Sequence, residues 1–138
     1  MVTNAQRKWV VTLVGEIKTF LLLHQWTVEI DFSDEPHPDT TDDTAVDAMI
    51  GILPRYFSAR MTVFPEFWGD WRGEDDRVKT IFHEMTHCIT EETASIGRTR
   101  RNSERATDAN EKTTQLITNI AFPIFLRQRK TRLKRKSK

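Results

Sequence analysis

The sequence predicts an α+β fold: an N-terminal helix, a sheet of about three strands, then two more helices. Three observations predict it. Apolar residues recur at helical spacing near the start and in the second half of the chain, they alternate with polar residues in between, and Gly97 marks a break between the last two helical stretches.

The first helix is expected over residues 5–25. Trp9, Leu13, Ile17, Phe20 and Leu21 form its apolar side, with Val10 and Val14 beside them. Trp26–Phe32 then alternates: Trp26, Val28, Ile30 and Phe32 point one way and Thr27, Glu29 and Asp31 the other, as in a half-buried strand. Residues 31–47 hold seven acids, no Lys or Arg, and both Pro36 and Pro38, which reads as a solvated loop. It lacks the spaced ligands of a calcium loop. A second strand is expected over Thr44–Leu53, broken by Pro54, and a third over Ser58–Phe64. Trp68 and Trp71 in the following link are expected to cover the core edge.

The clearest helix covers 75–92. Glu74, Asp75 and Asp76 sit at its start, where the helix dipole favours negative charge. Val78, Ile81, Phe82, Met85, Cys88 and Ile89 make one apolar stripe. A last helix is expected over 102–120, with Pro123 ending or kinking it.

Charge is unevenly placed. The 21 basic and 20 acidic residues nearly cancel, but residues 127–138 carry eight bases and no acid, leaving residues 1–126 with a net of −7. We therefore expect one domain over 1–126 and a basic, disordered tail over 127–138. Such a tail can neutralise phosphates of nucleic acid without reading sequence, or serve as a solubilising end. A single cysteine excludes an internal disulfide. The longest apolar run, Trp9–Leu23, is interrupted by Glu16 and Lys18, which argues against a membrane span and a signal peptide. The expectation is a soluble, cytoplasmic protein without a membrane partner.

One motif carries chemistry. His83-Glu84-Met85-Thr86-His87 is an HExxH sequence inside the clearest helix. Residues four apart share a helix face, so both imidazoles can converge on one zinc ion. Glu84, beside the first ligand, can take a proton from metal-bound water. All three residues fall off the apolar stripe, whereas Cys88 lies on it and reads as a buried thiol. A catalytic zinc needs a third protein ligand. No His or Cys follows Cys88, so the third ligand is expected to be a carboxylate. Glu91 and Glu92 lie on the same helix, too far along it to close a tetrahedron. The last helix offers Glu104, Asp108 and Glu111 on its polar side, among Thr107, Thr114 and Thr118, which read mostly as a solvated face. Glu111, within Asn110-Glu111-Lys112-Thr113-Thr114-Gln115, is favoured, with Glu104 as the rival.

His83–His87 followed by a glutamate helix resembles the gluzincin zinc metallopeptidases. Over residues 26–120 the element order is similar to their minimal, single-domain (minigluzincin-like) members and to short phage-encoded HExxH proteins. The resemblance implies a small zincin-like domain with His83 and His87 as zinc ligands, Glu84 as general base and Glu111 or Glu104 as third ligand. It also implies that Ser58–Phe64 is an edge strand that pairs with an extended peptide. The family pattern around the third ligand is Asn-Glu-x-x-x-Asp. Asn110-Glu111 keeps its first half and Glu104…Asp108 its second, and neither keeps both. Larger members add a Tyr or His that stabilises the transition state, whereas Tyr56, the only Tyr here, is expected to pack. The expected function is hydrolysis of peptide bonds by zinc-activated water. The alternative is a catalytically degenerate zinc module that docks a peptide, protein or nucleic acid.

Overall fold

A computed structural model describes residues 2–41, 44–97 and 103–137, without the side chains of 92–97 and 103–106. Three helices and a three-stranded mixed sheet make an α+β domain: α1 (Asn4–Phe20), β1 (Thr27–Phe32), β2 (Ala48–Leu53), β3 (Ser58–Val63), α2 (Glu74–Gly97) and α3 (Ser103–Lys136).

Helix α1 starts with a reciprocal cap. Thr3 Oγ1 accepts from the Gln6 N–H, and Gln6 Oε1 accepts from the Thr3 N–H. It buries Val10, Leu13, Val14 and Ile17. It ends five residues before the expected boundary because Leu22 takes a left-handed conformation (φ 57°), and the Leu23 N–H then closes onto the Lys18 carbonyl.

The sheet order is β1-β3-β2, with β1 parallel and β2 antiparallel to β3. The expectation of Ser58–Phe64 as an edge strand is therefore corrected: β3 is central, and the edges are β1 and β2. A short 3-10 turn, Pro54–Tyr56, folds β2 back on β3, and β1 takes the free side of β3. Burial follows: Ala59, Met61 and Val63 are 3%, 0% and 0% exposed. Strand β2 begins at Ala48, not Thr44, because local threonine contacts hold the preceding loop. Thr40 Oγ1 accepts from the Val46 N–H, and the Thr41 N–H donates to the Thr44 carbonyl.

Helices α1 and α2 pack on the inner face of the sheet around Phe67, Val78, Ile81, Phe82 and Met85, all fully buried. Arg77 ties the start of α2 to the preceding loop by donating to the carbonyls of Phe67 and Gly69.

Helix α3 differs most from expectation. It continues through Pro123 to Lys136, so residues 127–136, expected to be disordered, form its last turns. Lys138 lies outside the described residues. An interior proline costs about 3 kcal/mol, but packing on both sides of it offsets that cost. Phe122 and Phe125 stack against Phe82 at 5.7 and 5.3 Å between centroids, and Phe125 also meets Phe20 at 5.3 Å. Beyond them Arg129, 7% exposed, donates to Glu16 of α1 and Glu74 of α2. The basic end is thus fastened to the domain.

Candidate metal centre

The apolar stripe of α2 faces the core, which leaves His83, Glu84 and His87 on the side shared by α3 and β2. Helices α2 and α3 run antiparallel in a regular register. Thr118 meets His83, Thr114 meets His87, and Asn110 meets Glu91, each step moving one turn up α2 and one turn down α3. This register carries Glu111 to the imidazoles. Its Oε1 lies 3.1 Å from His83 Nε2 and its Oε2 lies 3.4 Å from His87 Nε2. Ligand atoms at ordinary zinc bonding distance in a tetrahedron stand about 3.4 Å apart. The donor types suit a zinc ion, and these two separations are close to that value.

The other ring nitrogens face α3. Thr114 Oγ1 lies 3.3 Å from His87 Nδ1, and Thr118 Oγ1 lies 3.5 Å from His83 Nδ1. Both threonines are fully buried, and Thr114 also pairs with Thr90 at 2.7 Å. A neutral ring whose Nδ1–H donates to threonine presents a lone pair at Nε2, as a metal ligand requires. Burial, and then the neighbouring His83, hold His87 below the ordinary histidine range, against the pull of Glu111 and Glu91. That favours the neutral ring.

Glu84 has a different environment. The Ile50 N–H of β2 lies beside its carboxylate and favours the charged form, so the side chain faces the edge of the sheet. Burial first, and the charge of Glu111 second, push its carboxyl up to about 8, with the Ile50 N–H opposing. One ligating atom each from His83, Glu84 and His87 also lies within 4.8 Å of the others. Two carboxylates thus approach the histidine pair. Glu111 faces both Nε2 atoms, and Glu84 lies against the main chain of Ile50.

A cleft of about 310 Å³ opens beside the cluster. Met49, Ile50 and Ile52 of β2 form one wall, and Glu91, Thr107, Asn110 and Glu111 form the other. Asn110 is 7% exposed and donates to Glu91 at 2.5 Å. Tyr56 is 71% exposed and does not line this cleft. Cys88 is buried in the core, which pushes its thiol up to about 12. Asp108 is exposed, away from the histidines' contacts. The side chains of Glu92 and Glu104 lie outside the described residues.

Reading the sequence missed three parts of this arrangement. Thr114 and Thr118 are not a solvated face but the partners of the two rings. Their four-residue spacing, which repeats that of His83 and His87, was the available signal. The Ile50 main-chain donor had none. Compared with known proteins, the chain matches no family model, no curated protein and no solved structure.

Proposed function

We propose that this chain is a zinc-dependent peptidase with His83, His87 and Glu111 as ligands. The observation that carries the reading is the Glu111 carboxylate set across both Nε2 atoms at 3.1 and 3.4 Å. Its companion is Glu84, on the cleft wall, which we assign to proton transfer rather than to the metal although its carboxylate lies within 4.8 Å of both imidazoles. When bound, zinc supplies a Lewis acid that acidifies a water and polarises a carbonyl. A cation held beside Glu84 would favour the ionised carboxylate, and Glu84 would then accept the proton of the attacking water and return it to the leaving amine. The substrate backbone pairs with the outer edge of β2 through its outward N–H and C=O groups other than the Ile50 N–H, which lies at Glu84. This moves the strand-addition role from Ser58–Phe64 to Ala48–Leu53.

The test combines metal analysis with hydrolysis of a broad peptide and casein panel. About one zinc per chain is expected, lost when both histidines become alanine. Full zinc retention in that double variant would overturn the reading.

One observation favours a second reading, a zinc module that docks a peptide without cleaving it. Among the described residues lining the cleft, none is a Tyr, Lys or Arg able to assist the metal in stabilising a developing oxyanion. Zinc binding and peptide binding without turnover, in wild type and Glu84→Gln alike, would select it.

A further inference from the structure

We propose that the outward face of α3 docks on an anionic phospholipid surface. Leu116, Ile120 and Ile124 are 59%, 63% and 52% exposed. Their four-residue spacing makes one stripe along the helix. It lies opposite the face carrying Thr114, Thr118, Phe125 and Arg129, all buried. Three residues beyond Ile124 the same face continues with Arg127, and two turns later with Lys134. Arg135 flanks this face, and Lys136 stands on the other side of the last turn.

The charge state of these residues identifies the occupant. Arg129, Lys130 and Arg132 are held by Glu16, Glu74 and Asp75. Arg127, Lys134, Arg135 and Lys136 have no ion-pair partner among the described residues. One face thus offers three large apolar side chains leading into three uncompensated cations, with a fourth, Lys136, across the helix end. A bilayer interface accepts both, taking apolar groups at the acyl boundary and cations among the headgroups. Nucleic acid engages the cations alone and leaves the stripe in water. An acid-free apolar partner leaves the cations unanswered. This departs from the expectation of no membrane partner, and it concerns the membrane surface only, since no described helix is long and apolar enough to cross a membrane. Glu111 projects toward α2, so docking through the opposite side of α3 leaves the cleft open to substrate.

Each cation near an anionic leaflet contributes about a fivefold gain in binding, so the three on this face give roughly a hundredfold at low salt. The experiment is co-sedimentation of the full chain with vesicles of phosphatidylcholine alone or with about one third phosphatidylglycerol. Binding only to the anionic vesicles is expected, weakening with salt. Two variants divide the surface: L116Q/I120Q/I124Q, and R127A/K134A/R135A/K136A. Both replace exposed side chains, and circular dichroism checks that each stays folded. Each should lose at least tenfold in vesicle binding. No sedimentation of the wild type with anionic vesicles would overturn the proposal. So would unchanged vesicle binding by the stripe variant. Duplex DNA retention that ignores the stripe, without vesicle binding, would assign the cations to nucleic acid instead.

Discussion

Thr114 Oγ1 lies 3.3 Å from Nδ1 of His87, the ring nitrogen that does not face Glu111. The contact fixes the ring with a neutral hydroxyl, and the same hydroxyl is paired with Thr90. Thr114→Val should therefore weaken zinc binding roughly ten- to a hundredfold, the usual cost of losing a ligand's supporting hydrogen bond. Thr114→Ser should restore it. Competition with a chromogenic chelator measures both. Equal affinity in the valine variant would mean that packing alone orients His87.

Glu84 and Glu111 are expected to separate turnover from metal content. Glu84→Gln should keep zinc and lose peptide cleavage by roughly a hundred- to ten-thousandfold. Glu111→Gln should lose zinc itself. If Glu104→Gln strips the metal and Glu111→Gln does not, the third ligand is Glu104.

Arg129 reaches across from the last third of α3 to Glu16 and Glu74. Its removal leaves Glu16, with a side chain 17% exposed, without its main buried partner. Arg129→Ala should cost about 3 kcal/mol, and lower Tm by roughly ten degrees. Deleting residues 127–138 should cost at least as much. An unchanged Tm after that deletion would show that these turns carry no stability.

Asp47 gives a pH dependence with a definite sign. It pairs with Arg72, and its Oδ1 is buried without a partner. Burial outweighs the attraction of Arg72 and raises the carboxyl above its ordinary 3.8. The folded protein then holds this proton more tightly than the unfolded chain. The stability it contributes is complete below 3.8 and is lost as pH rises through the raised folded value. Wild-type stability minus that of Asp47→Asn, from urea melts, should fall with rising pH across the carboxylate range. A difference that grows instead would mean that Arg72 dominates.

Cys88 should resist thiol reagents in the folded protein and react fully in denaturant, because burial keeps the thiol neutral and covered. Rapid labelling of the native chain would contradict that placement.

Particular residues show what the sequence could carry. Alternation from Trp26 to Phe32 located β1 to within one residue, because side-chain period is a local property of the backbone. The same alternation in Ser58–Phe64 said nothing about neighbours, so strand order was misread. Pro123 suggested a stop because local rules cannot weigh Phe82 and Phe20 waiting on either side of Phe125. His83, Glu84 and His87 share a face by spacing alone. Thr114 and Thr118 looked like surface because a polar helix face is legible, but not whether a second helix covers it. The placement of Glu111 against both rings required the α2–α3 register, which no single stretch encodes.

The group of β2 beside Glu84 is a peptide N–H, that of Ile50. Every amino acid except proline supplies that group identically. Position 50 can therefore drift among apolar side chains under selection for cleft shape without disturbing the proposed base. Mutational scanning should find apolar substitutions at position 50 tolerated and proline not.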